Sequence, residues 1–257
     1  MKKILFFLIL ILSIGFGNVK TTLPKLANDY IPIIYEEQQR LWKDFKYVFF
    51  LYGQVEQETC YSMTHKKCWN PKVYFRGMRN GVVVEFGGGL PQATMAARAV
   101  RLPNGRFVQK IRFDALSDLK ISYPRELSEL TWNNLANRPR LQIVFLILKN
   151  KQNWELTRKY AVDDFNGIMF MLASYNGGVG GLRSEIKRCM KTRGCNSGVW
   201  FGNVERVVMK SQKVLWGNKS PYQINREYVF NITRVRVEKY IQNHLSRDND
   251  YEYVSEK

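Results

Sequence analysis

The sequence predicts an α+β fold, predominantly helical, and three observations carry that expectation. Apolar residues recur at helical spacing in five separated stretches. One stretch, Val100 to Phe113, alternates instead around the turn signal Pro103-Asn104-Gly105 and reads as a hairpin. No internal repeat and no Pro- or Ser-rich linker divides the chain, so 257 residues with an apolar fraction of 45% read as one compact unit with a sizeable core.

At the N-terminus, Lys2 and Lys3 precede an apolar run that starts at Ile4 and continues to Gly17. A basic start, a short apolar segment and the small residues Gly15 and Gly17 predict a signal peptide over 1–17, with cleavage before Asn18. The run falls short of the ~20 residues that span a bilayer, and no cysteine at the junction invites a lipid anchor. The expected destination is outside the cytoplasm, in the periplasm or cell envelope. The rest divides into a core over 18–196 and a C-terminal helical extension over 197–257 packed on it.

Leu23 to Trp42 reads as a helix with Pro32 as a kink point, and Tyr47 to Thr59 as the next. In the second helix Tyr47, Val48, Leu51 and Val55 form one stripe, and Glu58 continues it. A carboxylate on an apolar face is costly to ionise, so it can hold a proton near neutral pH and give it to a leaving oxygen. The competing reading is an ion pair with one of the 40 Lys and Arg residues. Glu56 is rotated off the stripe and reads as a solvated carboxylate. Tyr61 to Arg79 reads as loop, with Asn70-Pro71 as a turn.

In Glu85-Phe86-Gly87-Gly88-Gly89-Leu90-Pro91-Gln92, the glycines allow close backbone approach to a ligand, and Gln92 offers a donor and an acceptor. Pro139 to Lys159 reads as a core helix. Asp163 or Asp164 caps the next, which is expected to stop at Ser174-Tyr175-Asn176-Gly177-Gly178. An aromatic and an amide beside open backbone suit a sugar-binding edge. Ser220-Pro221-Tyr222-Gln223 starts a last helix with a capping box and runs to about His244 before a polar tail.

The four cysteines fall as two close pairs, Cys60 with Cys68 and Cys189 with Cys195. Disulfides outweigh metal binding, because the only histidines are His65 and His244 and no CxxC spacing occurs. Four cysteines allow three connectivities, and spacing alone leaves them open. The formal charge of +18 calls for an acidic partner such as nucleic acid, anionic lipid or an acidic wall polymer. The basic residues are spread along the chain and no nucleic-acid motif accompanies them, which argues against nucleic acid.

Three stretches stand in order: Gln57-Glu58-Thr59, Gly89-Leu90-Pro91-Gln92 and Ser174-Tyr175-Asn176-Gly177-Gly178. Together they resemble the Glu-Ser, Gly-Leu-x-Gln and Ala-Tyr-Asn-Ala-Gly motifs of the lytic transglycosylases of the lysozyme-like superfamily, over roughly residues 45–185. Thr59 stands where that family usually has Ser, and Ser174 and Gly177 where Ala is commoner. Ala93-Thr94-Met95-Ala96 replaces the Met-Pro that usually follows the glutamine.

The resemblance implies a lysozyme-like fold and cleavage of the β-1,4 bond between N-acetylmuramic acid and N-acetylglucosamine to a 1,6-anhydro product. It assigns Glu58 as the single acid/base and Thr59, Gln92, Tyr175 and Asn176 as substrate-binding residues, with Tyr175 and Asn176 holding the catalytic side chain and the sugar. It implies no cofactor and no metal. The implied partners are peptidoglycan glycan strands and an envelope-spanning secretion or conjugation complex. Glu85 is the nearby carboxylate that would suit a hydrolytic muramidase, and it is read here as steadying the glycine loop. A non-catalytic wall-binding component of an export apparatus is a further alternative.

Overall fold

A computed structural model of the chain describes residues 23–60, 68–214 and 218–242. The signal-peptide segment, His65, His244 and the polar tail lie outside these residues. The fold is α+β, with helices outweighing one four-stranded antiparallel sheet of order β1-β2-β3-β4. In chain order the elements are α1 (Ala27–Leu41), α2 (Phe49–Thr59), β1 (Tyr74–Arg79), β2 (Val82–Gly88), β3 (Ala93–Arg101) and β4 (Phe107–Asp114). There follow α3 (Ala115–Ser122), α4 (Pro139–Thr157), α5 (Asp164–Gly177), α6 (Val179–Met190) and α7 (Pro221–Phe230), which continues through π-helical turns at Asn231–Arg236 into helix 237–242. No helix among the described residues is long and apolar enough to cross a membrane.

The helix boundaries follow from their caps. Asp114 ends β4 and caps α3, accepting from the N–H groups of Leu116 and Ser117. Asp163 caps α5 by accepting from Asn166 N–H, and Ser220 with Gln223 forms a reciprocal capping box on α7. Pro32 lies within α1 without ending it.

Two expectations are corrected here. The segment to Arg79 is not all loop, because β1 occupies Tyr74–Arg79. It pairs with β2 across Asn80-Gly81, where both residues have positive φ (50° and 77°), as a tight hairpin turn requires. The glycine run is likewise partly strand, since Glu85 to Gly88 complete β2. The hairpin around Pro103-Asn104-Gly105 joins β3 to β4.

α2 is buried on nearly every side, from Phe50 through Glu56 and again at Thr59. Such a helix is a central element rather than an amphipathic surface one. Its neighbours are α1 and the π-helical turns after α7, where Ile232 passes Gly53 closely enough that an added Cβ would sit 3.5 Å from its Cγ2. α4 divides the interior. Its Ile143, Leu146 and Ile147 join the main core with α1, α2 and α5. Its Val144, Phe145 and Leu148 join a second core under the sheet with Ala93, Leu116 and Leu119. The C-terminal segment enters the main core through Trp200, Val204, Tyr228, Val229, Ile232 and Tyr240.

The cysteines pair locally, Cys60 with Cys68 and Cys189 with Cys195, at Cα separations of 4.5 and 5.4 Å. The first closes the exit from α2, and the second closes the end of α6.

Glu56 overturns its expected role as a solvated carboxylate. It is fully buried, and its Oε1 accepts from Arg236 Nη1 at 2.8 Å and Lys239 Nζ at 2.7 Å. The Tyr240 hydroxyl donates to Oε2. Arg236 Nε also donates to Gln57 Oε1 at 2.8 Å, so one guanidinium ties the C-terminal segment to two adjacent residues of α2. Glu56→Gln removes the carboxylate charge on which Arg236 and Lys239 converge. Denaturant unfolding should show a loss of about 3–5 kcal/mol, with the midpoint shifting in proportion.

Candidate active site

The cleft lies between the sheet and the helical body. It has a volume of about 510 Å³ and is lined by the C-terminal turn of α2, by β1, β2 and the start of β3, and by the end of α5. Glu58, Gln92, Tyr175 and Asn176 all line it, and so does Thr59.

Glu58 sits in the last turn of α2, part-buried, and burial pushes its carboxyl up from 4.5 to about 8. Among the described residues no cation offsets this. The opposing influence is a hydrogen bond from the Tyr228 hydroxyl to Glu58 Oε1 at 2.5 Å. Tyr228 comes from α7, a helix the sequence predicts without singling out this residue.

The direction of this bond is fixed by what stands behind it. Asn150 Nδ2 donates to the Leu146 carbonyl at 2.9 Å and to Gln54 Oε1 at 2.8 Å. Gln54 Nε2 therefore faces Tyr228 and donates to its hydroxyl oxygen at 3.0 Å. The Tyr228 proton then points to Glu58, which leaves the acidic proton of Glu58 on Oε2. Burial and the neighbouring Glu58 and Tyr175 hold the Tyr228 phenol well above its usual range, so it remains a donor.

Gln92 holds a left-handed φ of 44° at the end of the Gly-Leu-Pro-Gln turn. Its Nε2 donates to Gly89 O at 2.9 Å and Val73 O at 3.2 Å, which commits both N–H groups to the backbone. Only the Oε1 acceptor remains, above Gly87, where an added Cβ would lie 3.2 Å from it. The turn is braced from below by Gln142 of α4, whose Oε1 accepts from Leu90 N–H at 2.7 Å and would meet a Cβ on Gly89 at 2.5 Å. Gly89 also has φ 74°, so glycine is required there twice over.

Tyr175 and Asn176 belong to the last turn of α5, which ends at Gly177 with Gly178 (φ 78°) as its cap, inside the stretch where the sequence places the stop. The Tyr175 hydroxyl donates to Pro91 O at 2.7 Å and ties α5 to the glutamine turn. The hydroxyl that the resemblance places on Glu58 is thus supplied by Tyr228. Asn176 is exposed and lines the cleft, and its Oδ1 accepts from Asn225 Nδ2 at 3.1 Å, which leaves its own amide N–H groups uncommitted among the described residues. Gly177 gives Asn225 and Lys210 room, since a Cβ there would approach them to 2.8 and 2.5 Å. The departure from Ala at this position therefore has a steric reason.

Thr59 is nearly inaccessible. Its hydroxyl donates to Val55 O at 2.7 Å and accepts from Trp69 N–H at 2.8 Å, so it orders the α2 exit beside the Cys60–Cys68 bridge. Glu85 stands on the sheet wall of the cleft with no hydrogen bond or ion pair among the described residues, and burial raises its carboxyl. It steadies no loop, because it is part of β2.

No protein-family model, no curated protein and no solved structure matches the chain.

Two outcomes follow from this geometry. Tyr228→Phe removes the one hydrogen bond among the described residues that favours the ionised form of Glu58, and frees its rotamer. If Glu58 serves as an acid catalyst, turnover should fall roughly 10- to 100-fold, and the alkaline limb of the pH profile should move upward from about 8. For stability, the folded protein holds a proton on Glu58 between pH 4.5 and about 8 that the unfolded chain has released. The wild type should therefore lose stability relative to Glu58→Gln as pH rises through that window and level off above it, as thermal melts at stepped pH will show.

Proposed function

We propose that this chain is a peptidoglycan lytic transglycosylase with a lysozyme-like fold, exported to the periplasm or cell envelope. The observation that carries the proposal is the Glu58 carboxylic acid, its pKa pushed up to about 8 and its side chain held by Tyr228, in a cleft that Gln92, Asn176 and Glu85 also line. Such an acid is protonated at neutral pH and can act as a general acid. The local disulfides are compatible with export. The three motifs that suggested this family all line the one cleft.

In this reading the Glu58 Oε2 proton passes to the glycosidic oxygen as the C1–O bond breaks. The 2-acetamido group of the muramic residue stabilises the cationic C1. Glu58, now a carboxylate, takes the proton from the C6 hydroxyl of the same sugar, and that oxygen bonds to C1. One proton leaves Glu58 and one returns, no water is consumed, and the product is the 1,6-anhydro sugar. Gln92 Oε1 and the Asn176 amide are suited to acetamido and hydroxyl groups of the strand.

A second reading, hydrolysis by a muramidase, is favoured by one feature, the unpartnered Glu85 carboxyl on the opposite wall. Mass spectrometry of muropeptides released by the purified protein separates the two, because anhydro ends are lighter by one water. We expect anhydro ends, their loss by at least roughly 1,000-fold in Glu58→Gln, and only a modest decrease in Glu85→Gln. Reducing ends with an inactive Glu85→Gln would instead establish the hydrolase.

A further inference from the structure

The sheet face that forms the cleft wall continues beyond the cleft. Phe75, Glu85, Gly87 and Thr94 line the cleft, and the register pairs Phe75 with Gly87, Gly87 with Thr94 and Gly77 with Glu85. Paired residues share a face, and every second residue along a strand returns to it. Along β1 that face carries Phe75, Gly77 and Arg79; along β3 it carries Thr94, Ala96 and Arg98, and Arg98 pairs with Lys110 of β4. The register shifts place their extra residues on β2 and β4, so the alternation along β1 and β3 is unbroken.

Arg79 and Arg98 therefore stand four residues, about 13 Å, past the cleft residues of their own strands. These two and Lys110 are exposed, and none has a hydrogen bond or ion pair among the described residues. No acid on the sheet offsets them. Glu85 is set back in the cleft, and Asp114 caps α3. A sugar backbone of amides and hydroxyls has no use for three unneutralised cations. A charged substituent on the strand does.

We propose that Arg79, Arg98 and Lys110 form a subsite for the carboxylates of the peptides borne by muramic residues flanking the scissile bond, making the peptide-bearing strand the preferred substrate. This rests on the peptidoglycan reading above. Charge complementarity at exposed sites is modest per pair and screened by salt, so the subsite acts on strand selection and not on the chemical step.

The test uses the mature chain and a triple variant, Arg79→Gln, Arg98→Gln and Lys110→Gln, with matched thermal transitions as a folding control. Both act on glycan strands carrying their peptides and on the same strands stripped by an amidase. The expected result is a KM about fivefold higher for the variant on peptide-bearing strands, no change on stripped strands, and a wild-type preference that fades as salt rises. Equal effects on both substrates, or none, would overturn the subsite. Co-sedimentation with insoluble peptidoglycan, with Glu58→Gln in both backgrounds, reads the same contact without catalysis. Absence of anhydro products therefore counts against the transglycosylase reading, while unchanged sedimentation counts against the subsite. Weaker retention on DNA with no change on peptide-bearing strands would reassign the strip to nucleic acid.

Discussion

The hydrogen bond from Tyr228 to Glu58 is the contact on which the rest of the site depends. It joins residues 170 positions apart, and it works only because a polar chain through Gln54 and Asn150 to a backbone carbonyl of α4 sets its direction. Each member is buried or part-buried, where hydrogen bonds polarise one another and a reversed amide would leave donors facing donors. Three helices, α2, α4 and α7, must therefore be in register before the acid has its geometry. The close approach of the 231–236 segment to Gly53 secures that register.

Two glutamates of one helix, two residues apart, illustrate how environment divides their tasks. Glu56 faces two cations and a phenol in the interior, and so anchors the C-terminal segment. Among the described residues Glu58 faces a phenol and a cleft but no cation, although the chain carries a formal charge of +18. A cation beside that carboxyl would favour its ionised form; Glu56, by contrast, has such a pair beside it.

Much of this was legible in the residues. Helical periods, caps and the Pro103-Asn104-Gly105 turn located most elements, and the three motifs converge on one cleft. The misreadings have physical causes. α2 is buried on nearly all sides, so a stripe does not separate inward from outward positions, and Glu56 was placed in solvent. The Asn80-Gly81 turn was a hairpin signal hidden beside a glycine run that looked like loop. The role of Tyr228 could not be read locally, since in α7 its spacing is that of a core residue and its partner lies far away in the chain. Gln142 was concealed in the same way, as a polar residue in an apolar helix whose side chain braces a turn 52 residues upstream.

The contribution of α7 to the acid's setting also bears on biogenesis. Glu58 and its Cys60–Cys68 clasp belong to the early part of the chain, whereas the phenol that orients the acid and the cations that hold α2 come more than 160 residues later. A polypeptide still emerging from a ribosome or a translocation pore has the acid without its orienting partner. Under the proposed reading, competence to cut would arise only when the late segment docks, and the activity would stay latent during synthesis.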